Sequence, residues 1–172
     1  MSADDIARAL ERMTQSLVTG RTGDTPLALV GIRTRGVPLA SRLARKLAES
    51  HSVHAPVGAL DITLYRDDLS QTAHTPVLRG TDVPFAIDGK EVVLVDDVFF
   101  TGRTIRAAMD AVCDLGRPRA IRLAVLVDRG HRELPIRPDT CGRCVTTELN
   151  EVIKVRLTEV DGIDDVRKLL IG

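Results

Sequence analysis

Apolar residues in this chain fall into two rhythms. Ile6, Ala9, Leu10, Met13 and Leu17 recur at three- and four-residue spacing, which predicts an amphipathic helix over Asp4–Val18. Ser2 is placed to cap it, and Gly20 and Gly23 to end it. Leu27–Ile32 is instead an unbroken apolar run, the pattern of a strand buried on both faces. The two rhythms then alternate. A helix is expected from Val37–Pro38 to about Ser50, a strand over Pro56–Thr63, and a strand starting at Val92. A helix follows from Ile105 to Leu115–Gly116, then strands over Ala120–Asp128 and Val152–Leu157. This alternation predicts an α/β fold with a mostly parallel sheet flanked by helices, and ligands bind such sheets at the carboxyl ends of the strands.

Polar residues gather at that edge. The strand from Val92 runs into two adjacent carboxylates, Asp96 and Asp97. It continues through Val98, Phe99 and Phe100 and turns at Thr101-Gly102-Arg103-Thr104 into a helix. A helix N-terminus offers free N–H groups and roughly half a positive charge, so such a turn suits a phosphate. The acids before it suit ribose hydroxyls, or Mg²⁺ held through water. The plain alternative, a buried strand with an ordinary helix cap, leaves the adjacent acids without a reason. Neither Gly-x-x-x-x-Gly-Lys-[Ser/Thr] nor Gly-x-Gly-x-x-Gly occurs, so a Walker loop and a dinucleotide fingerprint are excluded.

Two more groups share the edge. Arg33-Thr34-Arg35-Gly36, between a strand and a helix, reads as a second anion loop, with a solvated basic turn as the alternative. Asp128 and Arg129 end another strand. Residues 64–86 separate two core strands and are too many for an idle connection. They are expected to form a mobile flap with short edge pieces at Pro76–Arg79 and Val83–Phe85, from which Arg66 and Arg79 could reach a phosphate.

Composition changes this picture little. A chain of 172 residues suits one domain. Lysine plus arginine equals aspartate plus glutamate at 24 each, so no bulk basicity argues for nucleic acid. Tyr65, Phe85, Phe99 and Phe100 are the only aromatics, too few for a base-stacking platform. No apolar run approaches the ~18 residues of a membrane helix, and a cytoplasmic protein is expected. Cys113, Cys141 and Cys144 are then expected as thiols.

The stretch Val92–Thr104 resembles the phosphoribosyl-pyrophosphate (PRPP) signature of type I phosphoribosyltransferases. That resemblance implies their fold on a single domain over residues 1–172, with a mobile flap at 64–86 and a small hood at 129–150 plus the N-terminal segment. It also implies Mg²⁺ at Asp96 and Asp97, and Thr34 and Arg35 at the pyrophosphate across a cis peptide. Gly31–Gly36, Asp61–Asp68 and Asp128–Asp139 narrow the likeness to the PyrR group, pyrimidine-operon attenuators that are also uracil phosphoribosyltransferases. The likeness spans roughly Ile6 to Val160. It implies Arg129 at the nucleotide, Ile153 near the base, and a dimer or higher oligomer. The implied partners are PRPP, uracil, UMP or UTP, and an mRNA leader.

The chain also departs from that group. Thr140–Glu148 replaces a Tyr/Phe-x-Gly-Lys-Asn segment followed by Pro-Thr-Ser. Its Cys141-x-x-Cys144 pair is open to three readings: a zinc site short of two ligands, a redox pair, or two half-buried thiols in a loop. Glu11 and Gln15 stand where the attenuators carry a Thr and a His on their RNA-binding face, and Glu148 and Leu149 replace a Ser and a basic residue. Arg12, Arg132, Arg137 and Arg143 remain for a basic patch. Three functions stay open. One is a uracil phosphoribosyltransferase in which Asp96 and Asp97 favour a cationic ribose and Asp97 is the candidate base. The others are a nucleotide-sensing RNA attenuator and a phosphoribosyltransferase for another base.

Overall fold

The computed structural model describes residues 1–21, 23–63 and 80–171. Helix α1 (Ala3–Thr19) opens with a reciprocal cap. The Ser2 hydroxyl accepts from the Asp5 N–H at 3.2 Å, and the Asp5 carboxylate accepts from the Ser2 N–H at 2.9 Å. Its apolar row, Ile6 to Leu17, is buried as the spacing predicts. Strand β1 (Leu27–Ile32), helix α2 (Gly36–His51) and strand β2 (Val57–Leu60) follow. Then come β3 (Glu91–Phe99), α3 (Arg103–Leu115), β4 (Ala120–Asp128) and β5 (Thr140–Cys144). The chain closes with β6 (Glu151–Arg156), the single turn α4 (Thr158–Asp161) and β7 (Asp165–Leu170).

Strands β1 to β5 form one parallel sheet in the order β2-β1-β3-β4-β5, and β6 and β7 pair antiparallel beside it. Strand β3 is central, with Leu94 opposite Val30 on one side and Leu123 on the other. Its alternate side chains serve two cores. Val93 and Val95 join α1 and α2, while Val92 and Leu94 join α3. Burying each such side chain is worth about 1.5–3 kcal/mol, so a strand covered on both faces is apolar along its middle. The polar residues Asp96 and Asp97 come where β3 reaches its carboxyl end.

Two strands contradict or escape the sequence reading. Cys141 and Cys144 lie on β5, the outer strand of the sheet, and not in a loop. Thr140 and Gly142 are buried while Arg143 and Cys144 face out, so this half-solvated edge strand lacks an apolar run. Gly142 lies close against Ala9 of α1, where a Cβ would come within 3.2 Å of the alanine methyl. Strand β7 carries mostly exposed side chains and so left no apolar alternation to read. The expected edge piece Pro76–Arg79, with Arg66 and Arg79, lies outside the described residues. On the far side of that segment, Asp82 and Ala59 exchange backbone hydrogen bonds at 2.7 and 2.8 Å in an antiparallel bridge. Among the described residues no helix is long and apolar enough to cross a membrane.

Candidate active site

At the carboxyl edge of the sheet, the ends of β1, β2 and β3 surround a cavity of about 500 Å³. Of the expected residues it brings together Thr34, Arg35, Asp96, Asp97, Val98 and Thr104. Arg33 of the expected anion loop joins them, and the cavity adds Asp61 and Thr63, which the sequence reading had not assigned to the site.

The loop from β1 to α2 is held close to the acids by its glycine. A Cβ on Gly36 would overlap the carbonyl oxygen of Val95, the residue before Asp96. Only a glycine lets the loop lie there. The cis peptide of this loop joins Arg33 to Thr34, one bond before the expected position at Thr34–Arg35. Arg33 Nε donates to the Gly80 carbonyl at 2.5 Å, tying the loop to the described end of residues 64–86. Arg35 makes a two-point pair with Asp161 on α4, at 3.0 and 2.7 Å.

Asp96 and Asp97 are bound to backbone rather than to cations. The Asp96 carboxylate accepts from the Asp97 N–H at 2.9 Å, and the Asp97 carboxylate from the Val98 N–H at 2.9 Å. Asp96 is 7% exposed. Burial, reinforced by the charge of Asp97, pushes the Asp96 carboxyl well above the usual range. Burial also raises Asp97, against the Val98 N–H and the charge of Arg35. Neither acid is in an ion pair among the described residues. Two crowded carboxylates in no ion pair fit a divalent cation bound through water, so the donor set suits Mg²⁺. No group of three or more metal-ligating side chains exists among the described residues, so solvent or substrate oxygens must complete such a shell.

Beyond the acids, Gly102 turns the chain into α3 with φ +92°, in the left-handed region. Phe99 is buried beneath this turn, near Gly102, joins the core cluster of α3, and also lines a cavity with Asp128, His131 and Cys141. Arg103 pairs with Glu133 at 2.8 Å on the surface. Gly102 itself offers no side-chain cap; the Arg103 N–H that opens α3 donates to Thr101 Oγ1 at 3.4 Å, and Thr104 in the first turn lines the cavity.

A second pocket is built around Arg129. It is 5% exposed, with its guanidinium 4.0 Å over the Phe100 ring. It donates to Thr147 Oγ1 at 3.2 Å and to the carbonyls of Glu148 and Glu151 at 3.1 and 2.6 Å. Its side chain thus ties residues 147–151 to the end of β4, where residues 128–131 and 144–147 line a pocket of about 350 Å³. His131 packs edge-on to Phe100 at 5.8 Å and bonds the Thr147 carbonyl oxygen at 2.5 Å. Ile153 lies buried in the apolar cluster of α1 and α2.

The four expected RNA-contact arginines gather at the outer edge of β5. Arg12 donates to the Gly142 carbonyl at 3.1 Å, next to Arg143. Arg132 and Arg137 line a cavity of about 460 Å³ with Cys141 and Cys144. The two sulfurs are 3.9 Å apart and free. Glu11 pairs with Lys46 at 2.7 Å, which offsets its charge on the α1 face.

Residues 2–158 match the model of the phosphoribosyl transferase domain family. The bifunctional protein PyrR of Deinococcus deserti is 57% identical over 96% of this chain and 91% of its own length. That of Thermus thermophilus is 58% identical over 96% and 92%. The chain belongs to the PyrR family of phosphoribosyltransferases. Solved structures agree on the type I phosphoribosyltransferase fold. A Staphylococcus aureus hypoxanthine phosphoribosyltransferase superposes with TM-score 0.66 at 20% identity, over 87% of this chain and 77% of that one. A Pyrococcus horikoshii purine phosphoribosyltransferase gives 0.62 at 21%, over 84% and 86%.

In this PyrR-family chain the residues missed from sequence differ in legibility. Asp61 follows β2 at the carboxyl edge and accepts from the Thr63 N–H and hydroxyl at 3.0 and 2.6 Å. The strand-end rule that selected Asp96 applies to it equally. Asp161 had no such signal, because its partner Arg35 is distant in sequence.

Proposed function

We propose that the protein transfers the 5-phosphoribosyl group of PRPP to uracil, giving UMP and pyrophosphate, and that uridine nucleotides in the same site govern binding to a pyrimidine-operon mRNA leader. The convergence of the Arg33–Gly36 loop, the Asp96–Asp97 pair and the α3 N-terminus on one cavity carries this reading. The family relation to bifunctional PyrR proteins supports its two halves.

In this reading the 5′-phosphate sits on the Thr101–Thr104 turn, where backbone donors align the anomeric carbon. Thr34 and Arg35 take the pyrophosphate. Asp96 and Asp97 lie beside the ribose and favour the positive charge that grows as the C1–pyrophosphate bond breaks. Uracil N1 forms the new bond to C1 and gives up its proton. Burial makes Asp97 a stronger base than a free carboxylate, which suits it to accept that proton. Mg²⁺ held at Asp96 and Asp97 through water would neutralise charge on the departing pyrophosphate. Phe100, Arg129 and residues 147–151 would enclose the base. Initial-rate measurement of UMP formation from uracil, PRPP and Mg²⁺ tests the reading directly.

The arginine-rich edge of β5 favours RNA as the partner of the regulatory half. Arg12, Arg132, Arg137 and Arg143 concentrate positive charge there although the chain is neutral overall. RNA affinity that rises with UMP or UTP is the expected result.

A further inference from the structure

The arginine of the pyrophosphate loop does not stand alone. Arg35 lines the cavity, yet two of its nitrogens are already held: Nε by Asp161 Oδ2 at 3.0 Å and Nη2 by Asp161 Oδ1 at 2.7 Å. Asp161 is fixed in turn, because its Oδ2 accepts the Leu157 N–H at 2.9 Å. The whole α4 turn is tied to α2. Arg42 pairs with Glu159 at 2.6 Å and with Asp164 at 2.7 Å, and Asp164 accepts from the Thr158 N–H at 2.7 Å. The chain thus anchors a short acidic turn in order to present one carboxylate to one arginine.

The geometry leaves a definite part of that arginine for a ligand. A carboxylate on the Nε/Nη2 edge fixes the guanidinium plane and leaves the Nη1 side open. Nη1 has no hydrogen-bond partner among the described residues. Arg35 lines the same cavity as Asp97, whose charge also acts on it. A held arginine gives up no further rotamer freedom when an anion arrives, whereas a loose one must be ordered at that moment.

We propose that Asp161 is a positioning residue for the pyrophosphate group: it holds Arg35 by one edge so that Nη1 meets the pyrophosphate of PRPP. This rests on the transferase reading above. Asp161 touches no substrate and acts through Arg35. Its loss should weaken ligands that carry pyrophosphate and spare UMP, which has none. A merely structural acid would affect both alike.

The test compares wild type, Asp161→Asn and Asp161→Glu. The readouts are KM for PRPP, inhibition by pyrophosphate, and calorimetric binding of PRPP, pyrophosphate and UMP. Asp161→Asn is expected to weaken PRPP and pyrophosphate about tenfold, the scale of one charge-assisted hydrogen bond, and to leave UMP affinity unchanged. Asp161→Glu, which keeps a charged partner for Arg35, is expected to recover most of the loss. Unchanged or tighter PRPP binding in Asp161→Asn overturns the proposal, the latter marking Asp161 as a competitor of pyrophosphate. An equal loss of UMP affinity also overturns it. If Asp161→Asn does not fold, Asp161→Ser retains an acceptor for the Leu157 N–H and carries the same comparison. Absence of uracil turnover in wild type would sink the transferase reading alone, since direct binding of PRPP and pyrophosphate still decides the role of Asp161.

Discussion

The Asp97 backbone N–H points at the Asp96 carboxylate, 2.9 Å away, so the two acids of the site are locked to one another by the chain itself. This arrangement disfavours the unliganded protein. Burial raises both carboxyls above their ordinary 3.8, so the folded chain holds protons that the unfolded chain has released. Stability therefore falls as pH rises above 3.8 through the raised range, and returns as pH falls. Asp96→Asn removes this cost. It is expected to raise the Tm at neutral pH, by about 2–4 °C for each kcal/mol relieved. The same change should lower kcat/KM by about 10²-fold through lost stabilisation of the cationic ribose. Scanning calorimetry beside initial rates checks both, and a lower Tm with unchanged activity would count against the account.

Gly36 makes a second prediction. A methyl group there meets the Val95 carbonyl oxygen, which the centre of the sheet holds in place. Gly36→Ala must push the β1–α2 loop away from Asp96. It is expected to destabilise the fold by about 1–3 kcal/mol, the usual range for overpacking, and to abolish measurable PRPP binding. Urea unfolding and PRPP titration read the two effects. Retained PRPP affinity would show that the loop need not lie against β3.

The edge of β5 gives a third. Arg132 and Arg137 are exposed and line one cavity. If each contacts an RNA phosphate, the double change to alanine weakens binding of any leader sequence to a similar degree. It also flattens the plot of log affinity against log salt by roughly 0.7 per lost contact to single-stranded RNA. Filter binding across a salt series measures the slope. An unchanged slope would move the RNA surface away from β5.

The cysteines provide a fourth. Cys144 is exposed, whereas Cys141 is half-buried and its thiol is pushed up to about 12, chiefly by burial. At pH 8 iodoacetamide is expected to modify Cys144 well before Cys141. Peptide mass spectrometry follows the order. With no third ligand beside the pair among the described residues, a chelator should leave the Tm unchanged. A fall in Tm on chelation would restore the zinc reading of this motif.

What the sequence showed and what it hid divide along physical lines. Strand β3 was legible because burial on both faces demands an unbroken apolar run, and its first acids then mark the carboxyl edge. The same logic located Thr34, Arg35 and Thr104, and the resemblance of Val92–Thr104 added the substrate. Strand β5 was hidden because an edge strand packed against α1 on one face needs small and polar residues, not an apolar series. Arg129 was legible as important but not in its task. Only the fold brings Thr147, Glu148 and Glu151 to its guanidinium and stacks it on Phe100. Ile153 and Phe99 look alike in sequence whether they line a pocket or fill a core; the structure buries both in apolar clusters, and Phe99 also lines a cavity. Pairs such as Arg35 with Asp161 and Glu11 with Lys46 join distant segments by charge, which leaves no periodic trace.

The central claim is a pyrimidine phosphoribosyl transfer at the Asp96–Asp97 site. Its most direct test is product formation from PRPP and Mg²⁺ with uracil, run beside hypoxanthine, guanine, adenine and orotate. The panel matters because the structural likeness to hypoxanthine phosphoribosyltransferases, at about 20% identity, extends to the fold alone. The account predicts UMP and pyrophosphate in equal amounts from uracil, and no nucleotide from the other bases. Turnover of a purine in place of uracil, or tight UMP binding with no turnover of any base, would contradict it.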